Sequence, residues 1–302
     1  MTKCLLCQSK DLVLDAVFRV DEIVRQWQSS FQINISPELK GCATVSLSRC
    51  RSCGLRSFDP ALAGSGEMYA QLQRFDWYYL SQKWEHDVAI QDMRLGARIL
   101  EIGCGRGDFL ARTKHEIQAD CMGIELNPKA LNEARGRGLS VCAQSLDEIR
   151  SRRAGEFEVV CGFQVLEHVP GPHDFITICM DLLKPGGRLL LSVPNDDGFL
   201  RFARSEPLNQ PPHHVSRWPS TTLERIPDYF PVHLERLLCE PLALYHLGWY
   251  VDIQFNRLPY LPLVSSIGYR IAKYFVEPLI RATGMYKTLK GHSLYACYRK
   301  IV

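Results

Sequence analysis

Residues 98–109 read Arg98-Ile99-Leu100-Glu101-Ile102-Gly103-Cys104-Gly105-Arg106-Gly107-Asp108-Phe109. An apolar run, a cluster of glycines and the opening of a helical pattern follow one another without a break, the order of strand, tight turn and helix. Glycine in such a turn lets the backbone bend sharply and approach a ligand that a Cβ would exclude. A second strand-like run ends in Gly123-Ile124-Glu125, with Glu125 twenty residues beyond Gly105. A carboxylate at that position accepts hydroxyl protons from a ribose.

The spacing narrows the ligand. A dinucleotide loop is G-x-G-x-x-G, which grips a pyrophosphate. Here Asp108 stands where the last glycine of that pattern belongs, and Glu101 precedes the loop. Negative charge on both sides repels a diphosphate and suits a ligand carrying an amino group and a sulfonium cation, as S-adenosylmethionine does. The chain has no G-x-x-x-x-G-K-[ST], so an ATP-binding P-loop is not supported.

Outward from this loop, short apolar runs alternate with helical patterns. Strands are expected at Arg98–Ile102, Cys121–Glu125, Ser140–Ala143, Glu158–Gln164 and Arg188–Val193, and later at Val232–Leu238 and Ser293–Tyr298. Helices are expected at Asp108–Lys114, Lys129–Arg135, Asp174–Leu183 and Thr221–Tyr229, with an amphipathic helix at Ser265–Arg281. Lys184-Pro185-Gly186-Gly187 is a stop-and-turn signal. The alternation predicts an α/β fold: a mostly parallel sheet with helices on both faces. The division expected is a zinc-binding module at 1–60, a helical lid or linker at 61–95, and the cofactor-binding domain at 96–302, with an insertion at 241–290.

Four blocks in order, EIGCGRGDFL from Glu101, GIELNP from Gly123, FQVLEHV from Phe163 and LKPGGRLLLSVPN from Leu183, resemble the class I (Rossmann-like) S-adenosylmethionine-dependent methyltransferases. The resemblance covers roughly residues 75–300. It implies a seven-stranded sheet whose last two strands form an antiparallel hairpin. It also implies that Glu101, Gly103, Cys104, Gly105 and Gly107 line the methionine end of the cofactor. Glu125 would hold the ribose, Leu126 would pack on the adenine, Ser145 and Leu146 would lie near that ring, and Gln164 would face the methionine side. An acidic residue is common in the adenine loop and none stands at Ser145 or Leu146; Asp147 is the substitute. For each of these the alternative is a packing role.

Methyl transfer from a sulfonium needs an in-line acceptor, exclusion of water and, for a hydroxyl acceptor, a base. Ligands bind beyond the carboxyl ends of strands in such sheets, so the loops after the fourth and fifth strands supply candidates. The fifth is followed by Pro211-Pro212-His213-His214-Val215-Ser216-Arg217-Trp218. Histidine titrates near neutral pH, and one of His213 and His214 is the expected catalytic base, His214 slightly favoured; the alternative is a structural cap. His168 reads as structural. Trp218 is an expected aromatic wall, Arg217 a partner for an anionic group, and Tyr79, in the run Phe75-Asp76-Trp77-Tyr78-Tyr79, a lid residue reaching the methionine carboxylate.

Cys4-x-x-Cys7 and Cys50-x-x-Cys53-Gly54 pair as two knuckles of a zinc-ribbon-like module. Four thiolates match tetrahedral Zn²⁺ and leave no open position, so the metal's expected role is structural. A helix at Asp21–Ser30 fills the gap between the pairs. The alternative is that these are reduced core cysteines, or that Cys42 replaces one ligand.

The chain has 302 residues, 46% hydrophobic and 23% charged, with twelve cysteines and a formal net charge of +3. No basic run marks a nucleic-acid or acidic-membrane surface. No apolar stretch reaches the length of a membrane span, and the N-terminus lacks a secretory pattern; a reducing cytoplasm is expected. The expected partner is a small-molecule acceptor, first of all a sugar hydroxyl of a glycan or secondary metabolite, and the expected assembly a homodimer. The competing readings are an RNA-base methyltransferase with a zinc module, against which the low charge speaks, and a non-catalytic scaffold that keeps the cofactor fold.

Overall fold

The computed structural model describes residues 3–39, 41–75, 77–78, 80–203, 206–255 and 272–301. The chain opens with β1 (Leu12–Arg19), α1 (Val20–Phe31), β2 (Thr44–Cys50) and β3 (Arg56–Asp59). Helices α2 (Gly66–Leu72) and α3 (Trp84–Gln91) follow. Then come β4 (Arg98–Ile102), α4 (Asp108–Glu116), β5 (Asp120–Ile124), α5 (Pro128–Gly136), β6 (Val141–Cys142), α6 (Leu146–Arg153), β7 (Phe157–Phe163), α7 (Pro172–Leu182) and β8 (Leu183–Pro194). The last part holds β9 (Ser216–Arg217), α8 (Ser220–Glu224), β10 (Val232–Pro241), α9 (Leu247–Phe255), α10 (Glu277–Thr283) and β11 (Lys290–Lys300).

Seven strands form one sheet in the order β10-β11-β8-β7-β4-β5-β6. Strands β4 to β8 pair in parallel, and β11 runs antiparallel to both β10 and β8. This is the mostly parallel sheet that the alternating pattern anticipates, with the seven strands and terminal antiparallel hairpin that the family resemblance implies. Successive side chains of a strand point to opposite faces, and both faces here are covered. Leu100, Val160, Leu189 and Leu191 pack with Phe175, Ile176 and Cys179 of α7. Ile99, Val159, Cys161 and Leu190 pack with Val88 and Ala89 of α3 and Phe109 of α4. Two-sided burial explains why these strands read as continuous apolar runs.

Lys184-Pro185-Gly186-Gly187 is not a simple stop before the fifth strand. Strand β8 begins at Leu183, opposite Phe157, and the next registered pair is Val159 with Arg188. The four residues are extruded as a bulge, with Gly186 at φ 72°.

A second sheet has the order β1-β2-β3-β9. Its last strand comes from the loop after β8, so the N-terminal module is stitched to the larger sheet's domain by backbone pairing of Arg56 with Arg217 and Ser57 with Ser216. The expected boundary at residue 60 is blurred for the same reason. Met68 and Leu72 of α2 fill a core with Ile23, Trp27, Val45, Leu47 and Phe58, whereas α3 packs on the large sheet. Cys4, Leu6, Cys50 and Cys53 share a cluster with Trp218, Leu223 and Phe230.

Of the expected helix at Ser265–Arg281, residues 265–271 lie outside the described residues. The rest forms a π-helical turn at Ala272–Val276 followed by α10. Tyr274 and Phe275 there are exposed, at 74% and 70%, whereas Ile280 packs against the cluster around Phe199 and Leu247. Among the described residues no helix is long and apolar enough to cross a membrane.

Candidate active site

The loop between β4 and α4 needs its glycines for two reasons. Gly103, Gly105 and Gly107 have φ of 70°, 54° and 77°, the left-handed region that side chains disfavour. A Cβ at Gly103 would stand 2.5 Å from Val165 Cγ2, and one at Gly107 would stand 2.3 Å from Leu139 Cδ1. The loop is therefore pressed against the β7 loop on one side and the end of α5 on the other. Glu125, just beyond β5, holds it there. Its Oε2 accepts from Gly105 N–H at 2.8 Å and its Oε1 accepts from Asn127 N–H at 2.7 Å. Each oxygen keeps a second lone pair for a ligand hydroxyl.

Glu101, at the end of β4, is 3% exposed, and its Oε2 has no hydrogen-bond partner among the described residues. Burial pushes its carboxyl well above the usual carboxylate range, opposed by the nearby Lys83 charge. A buried, unsatisfied carboxylate is costly unless a ligand's donor completes it. Gln164, past the tip of β7, has φ 57°. Its amide lies 3.3 Å from Ser192 Oγ, 3.3 Å from Ser293 Oγ and 3.4 Å from Glu85 Oε1. Strain of this kind persists only where the surroundings over-determine it, commonly at ligand sites.

Opposite the glycine loop stands a histidine cluster. His168 Nδ1 donates to the His213 carbonyl at 2.5 Å, with the Tyr69 hydroxyl 3.1 Å from the same nitrogen. His213 Nδ1 donates to the Leu208 carbonyl at 2.8 Å, and its Nε2 lies 3.0 Å from the Tyr78 hydroxyl. His214 Nδ1 lies 3.4 Å from Asn209 Oδ1. The two neighbouring rings stack at 4.6 Å. Desolvation lowers the His168 pKa to about 4 and puts those of His213 and His214 well below the ordinary value. Burial also pushes Glu167 up to about 8. Trp27 of α1 packs on His213 at 6.3 Å, so the N-terminal module forms part of the wall behind it.

These groups open onto one cavity of about 630 Å³. Of the residues expected at the cofactor site, Glu101, Gly103, Cys104, Gly105, Glu125, Leu126, Ser145, Leu146 and Gln164 all line it, as do His213 and His214. Gly107 does not; it serves as the N-cap of α4, against Leu139. Leu126 is 68% exposed at the rim. Ser145 also caps α6 in a reciprocal box with Glu148. Asp147, the substitute for an adenine-loop acid, pairs with Arg150 at 2.8 Å and is 70% exposed on its side chain, so it is turned to solvent.

A family model described as a methyltransferase domain matches residues 77–230, about half of the chain. The chain belongs to this methyltransferase family. Among curated relatives, the ubiquinone biosynthesis O-methyltransferase of Xanthomonas axonopodis pv. citri is 38% identical over 106 residues, 33% of this chain and 44% of the relative. That of Aromatoleum aromaticum is 32% identical over 147 residues, 42% of this chain and 62% of the relative. The chain thus spans less than two thirds of the length of these relatives. Among solved structures, a SAM dependent methyltransferase from Archaeoglobus fulgidus matches at 20% identity and a TM-score of 0.46, over 78% of this chain and 95% of that one.

Two expectations for this methyltransferase-family chain are corrected by packing. Trp218 is no pocket wall: it is fully buried and donates from its indole N–H to Ser216 Oγ at 2.9 Å. Arg217 donates to the Asn209 carbonyl at 3.1 and 2.7 Å, and its guanidinium lies over the Phe58 ring. It braces the histidine loop against the N-terminal sheet. Tyr79 lies outside the described residues; its neighbour Tyr78 reaches His213 instead. The pocket also recruits Lys83, Glu85 and His86 from the start of α3, and Tyr245, His246, Trp249 and His292 from the region between β10 and β11. No local motif marks these residues, and only the closing of the sheet brings them to the cavity.

The two Cys-x-x-Cys pairs converge. Cys4 Sγ lies 3.5 Å from Cys53 Sγ and Cys7 Sγ 3.5 Å from Cys50 Sγ, with all four sulfurs within 4.8 Å of one another. Cys42 is not in this group; it packs at the edge of the α1 core. Zn–S bonds of about 2.3 Å in a tetrahedron fit four sulfurs so placed.

Proposed function

We propose that this protein transfers a methyl group from S-adenosylmethionine to a hydroxyl of a small molecule, a sugar hydroxyl of a glycan or secondary metabolite being the acceptor class favoured. The observation that carries this reading is the buried, partnerless Glu101 oxygen beside a glycine loop braced by Glu125, facing the histidine cluster across the same cavity. Glu101 would receive the cofactor's amino group, Glu125 its ribose hydroxyls, and Leu126, Ser145 and Leu146 its adenine.

The reaction is a displacement. The acceptor oxygen gives up its proton and forms the O–CH₃ bond as the S–CH₃ bond breaks, and the neutral thioether S-adenosylhomocysteine leaves. The protein's work is to align the two molecules, keep out water and receive the proton. Burial keeps His213 and His214 unprotonated, which leaves a ring nitrogen open to the proton but makes each a weaker base than a free imidazole. Trp249, Tyr245, His246 and His292 offer ring faces and ring nitrogens to a polyhydroxylated acceptor. The matched relatives are named as O-methyltransferases, which agrees with a hydroxyl acceptor.

The four cysteines would hold a structural Zn²⁺, in a reducing, cytoplasmic setting that keeps thiolates available. The test is incubation of the purified chain with methyl-labelled cofactor and a panel of sugars, nucleotide sugars and phenols. Transfer of label, with a mass gain of one CH₂ in the acceptor, supports the reading. Binding of the cofactor with no transfer to any acceptor would favour the scaffold role instead.

A further inference from the structure

We propose that Glu167, His168 and His214 form a binding site for a divalent transition-metal cation inside the acceptor cavity. His168 Nε2 lies 3.6 Å and His214 Nε2 4.0 Å from the same oxygen, Oε1 of Glu167. These distances are too long for hydrogen bonds. They leave three donor atoms around one gap.

The tautomers point the same way. His168 Nδ1 faces a carbonyl oxygen, which only accepts, so that nitrogen carries the proton. His214 Nδ1 faces Asn209 Oδ1 in the same sense. Both Nε2 atoms then lie within 4.0 Å of Glu167 Oε1 with a lone pair each, a grouping that a cation between them would hold together. Donation from the far ring nitrogen to an oxygen is the usual device that orients a metal-binding imidazole. The three histidines His168, His213 and His214 bring ring nitrogens within 4.8 Å of one another, but His213 is not proposed as a ligand. Its Nδ1 bonds the Leu208 carbonyl and its Nε2 the Tyr78 hydroxyl.

Glu167 supplies the independent observation. Its side chain is 2% exposed, and Oε2 has no hydrogen-bond partner among the described residues. A buried carboxyl with one oxygen orphaned and the other 3.6 and 4.0 Å from two imidazole nitrogens has no hydrogen-bonded cation among the described residues, and Lys83 acts on it only through its charge. All three residues line the cavity, so the cation's remaining coordination positions would open toward the acceptor. Two imidazoles and a carboxylate suit Mn²⁺, Fe²⁺, Co²⁺ or Zn²⁺ better than Mg²⁺, and differ from the all-thiolate set of the cysteine module. Resting on the methyl-transfer reading, the cation's role is to hold the acceptor hydroxyl and lower its pKa; the hydroxyl proton then passes to the Tyr78–His213 pair rather than to His214, whose Nε2 is on the metal.

The experiment is a Mn²⁺ titration of the full chain with its cysteine site loaded with zinc, followed by electron paramagnetic resonance of free Mn²⁺ and by calorimetry. Mn²⁺ is chosen because thiolates bind it poorly. The expected result is one Mn²⁺ per chain. Glu167→Gln and His214→Gln, on separate loops, should each weaken it about tenfold or more, with S-adenosylmethionine affinity within about twofold of the parent. Near-ultraviolet circular dichroism identifies a variant that fails to fold, and the other then carries the test. No Mn²⁺ uptake, or uptake indifferent to both substitutions, overturns the cation site. Mn²⁺ uptake without any cofactor uptake instead sinks the methyl-transfer reading and leaves the site standing.

Discussion

The Glu125 carboxylate accepts the Gly105 N–H at 2.8 Å, so the residue proposed to hold the ribose also braces the glycine loop. Its other oxygen takes Asn127 N–H at 2.7 Å at the start of α5. Glu125→Gln places an amide NH₂ against one of these backbone donors. Losing one such bond at a buried site costs about 1–3 kcal/mol. S-adenosylmethionine binding should weaken by roughly tenfold to a hundredfold, as read by calorimetry. Unchanged affinity removes Glu125 from the site.

Gly103→Ala should both destabilise the fold and block the cavity. The φ of 70° disfavours any Cβ, and the new methyl would stand 2.5 Å from Val165 Cγ2. Overpacking of this kind costs about 1–3 kcal/mol. A lower melting temperature together with loss of cofactor binding is the expected outcome; a variant melting and binding like the parent contradicts the loop geometry.

His86 sits between Phe109 and Phe163, and burial lowers its pKa from 6.5 to about 3. The unfolded chain takes up this proton below pH 6.5 and the folded chain does not until about pH 3. Its contribution to stability is therefore fully present above 6.5 and is lost as the pH falls through that window. By about pH 5 the loss from this one residue is about 2 kcal/mol. Denaturant titrations at pH 7 and pH 5 should show His86→Phe losing less stability than the parent between the two; equal losses would falsify the buried neutral histidine.

Stripping the zinc proposed for the cysteine module should be felt at the histidine loop. Cys50 ends β2 and Cys53 precedes β3, and β3 pairs with β9 immediately after His214. Phe58 N–H also donates to the Val215 carbonyl at 3.0 Å. With a chelator present, hydrogen exchange should accelerate at residues 56–59 and 215–217 and stay slow in β4 and β7. Protection unaltered in the histidine loop would mean that the module folds independently of it.

Tyr78→Phe removes the hydroxyl 3.0 Å from His213 Nε2. If that pair handles the acceptor's proton, kcat should fall by about tenfold to a hundredfold with cofactor affinity unchanged. A fall in cofactor affinity with kcat intact assigns Tyr78 to binding.

Much of the glycine-loop side of the cavity was legible because its residues are local to one turn each. Glu101, Gly103 and Gly105 belong to one strand–loop–helix unit, and Glu125 ends the next strand; hydrophobic period and glycine placement mark both. The acceptor half was legible only in part. The histidine pair stood out by composition, but the roles of its neighbours did not. Trp218 and Arg217 read as pocket residues because an aromatic and a cation beside two histidines suggest a wall and an anion site. Both are instead spent on packing against Ser216 and Asn209. Strand β9 is two residues long, too short to carry a period, and it exists only because the edge of β3 is there to pair with it.

What the sequence alone determined is the large sheet: continuous apolar runs, helical periods between them and glycines at the turns leave one economical way to bury both faces. The convergence of the four cysteines was also implied, since thiolates spaced as two knuckles share a purpose. The tertiary structure alone decided which side chains meet across the cavity. Tyr69 with His168 and Tyr78 with His213 are contacts over 99 and 135 residues. Local propensity carries no information at that range; such pairs are fixed by how the β3–β9 join holds the N-terminal module against the loops of the larger sheet.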